Sequence, residues 1–239
     1  MKQIITIIKQ KWAEYFLEII VIIIGVLGAF YLNNWKEYRE EKSKEFELLQ
    51  NLKDDFTKDS ELINIGLLDL NTDLTYLKIT IKNTGPFVVP PKMSILDSIE
   101  TISYTVVELV YGTLSPTLNS SGVGLLKNKN LRVQLLSFPI QLAKYKEIEI
   151  AARNLALEQR KEHQKYISIL NRELYREGRF TDEKNHFSSD YKSWLRDRNY
   201  QNLSLDRIWQ IDQAIDELEK LYETNNKILS LIIDELERF

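Results

Sequence analysis

FLEIIVIIIGVLGAFYLNNWKEYREEKSKEFELLQNL, Phe16 to Leu52, is the stretch on which the fold turns. From Tyr15 to Leu32 the only charged residue is Glu18. These eighteen residues rise ~27 Å as a helix, close to the hydrocarbon thickness of a bilayer. Trp12, Tyr15, Tyr31 and Trp35 lie near the two ends of the run, where aromatic rings favour the headgroup region. A transmembrane helix is therefore expected over 15–34. Lys2, Lys9 and Lys11 precede it and favour keeping the tail, residues 1–14, in the cytoplasm. Residues 35–239 then lie outside, in the periplasm of a Gram-negative bacterium. A cleaved signal peptide is the rival reading, but Leu27 fits poorly at the −3 position of a cut after Ala29.

Past Trp35 the chain turns amphipathic without a break. Lys42, Leu49, Phe56, Ile63, Leu70 and Leu77 recur every seven residues, and Phe46, Leu52, Leu67 and Leu74 fill much of a second seam. That period predicts one helix from about 35 to 81, a rod of ~70 Å continuous with the span. Asn83-Thr84-Gly85-Pro86 and then Pro90-Pro91 end it, so this segment is the far tip.

Three more helices are expected. The second opens near Ser94, capped by Ser94 or Asp97, and buries Leu96, Ile99, Ile102, Val106 or Val107, and Val110 before breaking at Tyr111–Pro116. A short piece follows over about 117–127, with a tight turn at Asn128-Lys129-Asn130. The third runs from about Asn130 to Arg176, bent at Pro139 and closed by Gly178. A small helix around 188–198 buries Tyr191 and Trp194. The last carries a strict heptad seam, Ile208, Ile211, Ile215, Leu218, Tyr222, Asn225, Leu229, Ile232, Leu236 and Phe239. The fold class is all-α: an N-terminal transmembrane helix continuous with a long antiparallel four-helix bundle, with Phe239 returning close to the bilayer.

Composition narrows the chemistry. Hydrophobic (44%) and charged (28%) fractions exclude wholesale disorder. A net charge of −3 without a basic tract argues against nucleic acid. The absence of cysteine removes disulfides, thiolate metal sites and a cysteine nucleophile. Eight glycines and five prolines are few breakers, in keeping with long helices.

Two stretches resemble an uncharacterised family of bacterial single-span inner-membrane proteins. Leu17–Glu37, LEIIVIIIGVLGAFYLNNWKE, is similar to its span, with a Glu before an Ile/Val-rich run, then Gly, ending in Asn-Asn-Trp. Pro116–Leu135 is similar to its second marker through Leu118, Ser121, Gly122, Lys127, Asn128, Leu131 and Arg132. Phe30-Tyr31 and Ser115-Pro116 depart from the pattern. The resemblance implies an envelope location and a helical outer domain, and it implies no activity.

No catalytic constellation emerges. Glu183-x-x-His186 is a single copy of a spacing that di-iron bundles use twice. His163 reads as a seam or flank residue, and Ser120-Ser121-Gly122 as helix-end chemistry. Asp54, Asp55, Asp59 and Glu61 read as a solvated helix face. Tyr104, Tyr111, Phe138 and Tyr145 are expected to meet in the core as packing, or as an aromatic pocket. Within the membrane, Glu18 is a possible functional carboxylate, read first as snorkelling or pairing with Lys9 or Lys11. Gly25, Gly28 and Ala29 permit close helix packing. The expectation is a non-enzymatic, membrane-anchored interaction or scaffold protein without cofactor or metal. Its partners are membrane lipid and a second copy or another membrane protein. The alternatives are a ligand-sensing bundle and an accessory subunit of an ion-driven complex that uses Glu18.

Overall fold

A computed structural model describes residues 2–110, 112–119, 122–171 and 187–239. Helix α1, Lys2–Lys82, is a single helix of 81 residues. It joins the apolar run to the stalk without interruption, as the unbroken helical period requires. Helix α2 (Met93–Glu100) opens the return leg. The short α3 (Leu114–Asn119) and α4 (Gly122–Leu125) follow at the base. Helix α5 (Lys129–His163) climbs again and continues through Pro139. Helices α6 (Tyr191–Arg196) and α7 (Arg198–Leu236) complete the chain.

Helix α7 is the centre of the bundle, antiparallel to both α1 and α5. On one side Ser60 donates to Asn226 (2.9 Å) and Asn64 to Tyr222 (3.1 Å). On the other, Lys144 meets Glu217 at 2.9 Å and Gln159 donates to Ser204 at 2.7 Å. A helix with two neighbours buries a broader arc than a coiled-coil seam. Of the expected heptad, Ile211, Leu218, Asn225 and Ile232 are fully buried. Ile208, Ile215, Tyr222, Leu229 and Leu236 are half-buried, and Ala214, Leu221 and Ile228 join the core from outside the seam. Asn225 does not act across a paired Asn: its amide donates to the Phe56 carbonyl (2.9 Å) and to Ser60 Oγ (2.7 Å), pinning α7 to α1.

The second leg is only half helical. It is a helix from Met93, without a side-chain cap from Ser94 or Asp97, and it stops at Glu100. Ser103 bonds Asp73 and Val110 bonds Asp59. Seven residues of the leg thus pass fourteen residues of α1, ~21 Å, or ~3 Å per residue, the rise of an extended chain. Geometry demands this. Leu96 belongs to the cluster that Ile79 packs against, and Thr113 bonds Asp55. The intervening ~36 Å of α1 is beyond the ~26 Å that the same residues would reach as a helix. Composition agrees, since Thr101, Ile102, Thr105, Val106, Val107 and Val110 are β-branched.

This extended strap, residues 101–110, lies in the groove between α1 and α5. Gly66 makes the close approach possible: a Cβ there would overlap Val107 Cγ2 and sit 3.3 Å from Leu218 Cδ2. Gly66→Ala gains helix propensity but forces Val107 outward, and a net loss of about 1–3 kcal/mol is expected in urea unfolding. An unchanged midpoint would show that the strap does not pack here.

Two hydrophobic clusters hold the bundle. The larger runs from Leu49 and Ile232 at the base to Leu77 and Ile211. The smaller closes the tip around Leu96, Ile99, Ile167, Trp194, Leu195 and Tyr200. Helix α5 ends at His163, short of the expected Arg176, and Tyr166 packs against the tip cluster from the following turn. Gly178, the expected stop, lies outside the described residues. At the base the Phe239 ring sits 5.4 Å from Phe46, with Lys42 Nζ 5.0 Å from its centroid. The bundle therefore starts about 10–16 Å of helix beyond Trp35.

Candidate functional site

Among the described residues one helix is long and apolar enough to cross a membrane. Its richest 18-residue window has a mean hydropathy of 2.3, and none of it is buried within the chain. A core helix of a soluble protein would be covered; this one is bare. Glu18, Gly25, Gly28 and Ala29 all lie on it and are exposed. At 100° per residue, Glu18, Gly25 and Ala29 fall within about 40° of one another, while Gly28 lies to one side. A Cβ at Gly25 or Gly28 would meet nothing within 4 Å. No contact inside the chain therefore calls for glycine at either place. The side chains of Lys9 and Lys11 lie outside the described set.

The second constellation is the strap and the side chains that hold it. An extended segment packed between helices has no strand neighbour to receive its N–H and C=O groups, so side chains must receive them. Asp59 accepts from Val110 N at 2.6 Å and Asp55 from Thr113 N at 2.7 Å. Glu149, on α5, accepts from Val107 N at 2.8 Å. Lys146 donates to the Val107 carbonyl at 2.6 Å and pairs with Glu149 at 2.9 Å. Arg207, on α7, reaches the Ser103 carbonyl at 2.6 Å and Gln159 Oε1 at 2.6 Å, while the Ser103 hydroxyl donates to Asp73. The same device recurs at the base, where Glu45 accepts from Lys127 N at 2.8 Å and Asn128 caps α5 by accepting from Leu131 N at 3.0 Å.

These carboxylates are not the solvated face expected from the run Asp54–Glu61. Asp54 and Glu61 are exposed, but Asp59 is only 2% exposed and Asp55 turns to the strap. The signal was present: Asp59 stands three residues after Phe56 and four before Ile63, on the core period. Burial pushes the Asp59 carboxyl up to about 6 against the pull of the Val110 N–H, and it also raises Asp73 against the Ser103 hydroxyl and Arg207. Burial likewise raises the Tyr145 phenol, with Glu149 adding to it.

A pH dependence follows. The folded Asp59 binds its proton more tightly than an unfolded Asp, so its contribution to stability grows as pH falls from above 6 towards 4, and is lost as pH rises through 6. Urea unfolding of the wild type should yield a larger gain from pH 7 to pH 5 than that of Asp59→Asn, which keeps an oxygen for the Val110 N–H. Equal gains would refute it.

The remaining sequence candidates separate. Phe138 packs edge-on to Phe56 at 5.1 Å, away from the small cavity that Tyr104 and Tyr145 both line, so two of the described aromatics meet there and Phe138 does not. Tyr111, Ser120, Ser121, Glu183 and His186 lie outside the described residues. His163 is buried beside Trp194, with ring centroids 4.8 Å apart. Two cavities flank Asp73 and Arg207, each of about 10 Å³, room for roughly one water. Among the described residues no group of His, Asp and Glu is placed to hold a metal ion. No family model, curated protein or solved structure matches the chain.

Proposed function

We propose that this is a membrane-anchored helical interaction protein of the bacterial envelope, without enzymatic activity. Its N-terminal tail is cytoplasmic and its bundle periplasmic. The observation that carries the reading is α1, Lys2–Lys82, one uninterrupted helix whose bare apolar third becomes a fully engaged third of the bundle. A continuous helix transmits position and orientation from bilayer to bundle, as a stalk must. The resemblance of Leu17–Glu37 and Pro116–Leu135 to single-span envelope proteins points the same way.

Self-association through the span is part of the proposal. Gly25 and Ala29 let two backbones approach, and Glu18 shares their face.

Crosslinking in native membranes tests the reading. A cysteine at Ala29 should trap a homodimer or a membrane partner, and a cysteine at the exposed Ile65 should be labelled from the periplasmic side. A strictly solitary chain, or Ile65 shielded inside the cell, would reject it.

A further inference from the structure

The turn between α1 and α2 presents apolar side chains outward at the end farthest from the apolar span. Phe87 is 91% exposed and Val89 is 76% exposed, while Val88 between them packs into the tip cluster. The loop is fixed rather than slack. Gly85, at a φ of +146° that only glycine adopts readily, donates to the Leu195 carbonyl at 2.9 Å. The Arg196 guanidinium forks onto the Val88 carbonyl at 3.2 and 3.0 Å. Pro86, Pro90 and Pro91 restrict the rest. Presenting Phe87 and Val89 therefore costs little further ordering on binding.

Around them stand exposed cations: Lys82, Lys92, Lys192, Arg196 and Arg198. Among the described residues the exposed carboxylates of this end are Asp97 and Asp190, and Asp190 is occupied in capping α6 through Ser193 N at 3.0 Å. The result is a convex apolar wedge with a cationic rim in a chain whose net charge is −3.

The geometry points to the tip as a docking surface for an anionic phospholipid bilayer other than the one that holds the span. A convex wedge of two apolar side chains needs a yielding, apolar receiver, and the rim needs anionic headgroups above it. Helix α1 sets the tip ~70 Å from Trp35, out of reach of its own bilayer while the stalk stands. The inference rests on the anchored reading for its second membrane, though not for its lipid chemistry.

The test uses the full chain in nanodiscs of phosphatidylcholine, mixed with acceptor vesicles of phosphatidylcholine alone or with roughly a third phosphatidylglycerol, and read by co-sedimentation. Capture by the anionic vesicles is expected, weakened by salt. Phe87→Ser with Val89→Ser should weaken it about tenfold or more without changing the circular dichroism, since neither side chain is buried. Equal capture by both vesicle types, no capture, or undiminished capture of the double variant would overturn the inference. So would a variant that loses a protein partner from cells yet keeps full vesicle binding, for the tip would then be a protein-docking surface. A chain that never enters nanodiscs but binds anionic vesicles through Phe87 would refute the anchor and leave the lipid-binding tip standing.

Discussion

Arg207→Ala is expected to lower the unfolding free energy by about 3–5 kcal/mol. Arg207 is 3% exposed and belongs to α7, yet its two terminal nitrogens reach the strap at Ser103 and α5 at Gln159. Asp73 of α1 faces the same pair of small cavities. One guanidinium thus joins four elements, and burial already pulls its own pKa down, with Asp73 pulling back. Truncation leaves the Ser103 carbonyl, Gln159 and a buried Asp73 carboxylate without their cation. Asp73, already raised by burial, should then rise further. The sign fixes the pH profile. The deficit grows as rising pH forces Asp73 to charge, and shrinks as acid protonates it. Urea midpoints at several pH values measure this. Asp73→Asn combined with Arg207→Met, which removes both charges and keeps most of the volume, should recover much of the loss. A double variant as weak as Arg207→Ala would show that the loss comes from the hydrogen bonds to Ser103 and Gln159 and not from the stranded carboxylate.

The strap also marks where sequence reasoning stops. Apolar period placed the end of α1 within a residue and the seam of α7 from Ile208 onward, because a long helix repeats its evidence at every turn: Leu49, Phe56, Ile63, Leu70 and Leu77 are all core residues; the starts, Lys2 and Arg198, lie ahead of the expected ones. Residues 94–110 offered the same spacing, and Leu96, Ile99 and Val107 are buried as expected. Yet the segment changes from helix to extended chain at Thr101, because the distance from tip to base is too great for so few helical residues. That constraint lies in the length of the other helices. The carboxylates that hold the strap were hidden for a related reason. Asp55 and Asp59 read as surface while every backbone N–H is assumed to be satisfied within its own helix. Only an unpaired leg creates the need for them. Glu18, Gly25 and Ala29 stand out in the sequence because a charge and small residues break a run of Ile and Val, and the structure adds that all three are exposed.

Trp194→Ala should cost about 3–5 kcal/mol, and its effect should be confined to the far end of the bundle. Trp194 is fully buried, with ring centroids 4.8 Å from His163 and 5.2 Å from Tyr200. Helix α6 has six residues, too few to persist alone, so its position depends on this anchor. The attachments of the tip loop run through the two residues that follow, the Leu195 carbonyl to Gly85 and Arg196 to Val88. Once the indole is removed, α6 loses its seat and the loop 85–91 loses its ties, while the pins at Asn225 and Glu149 lie more than ~20 Å lower. Hydrogen exchange should therefore divide. The amides of Gly85 and α2 should exchange tens of times faster than in the wild type, whereas those around Leu52 and Ile228 should quicken only with the global loss of stability. Trp194→Phe keeps a ring against Tyr200 and should retain slow exchange at Gly85. Uniform acceleration along the whole bundle would mean that tip and base unfold as one unit, and would remove the distinction between the two clusters as separately stabilised parts.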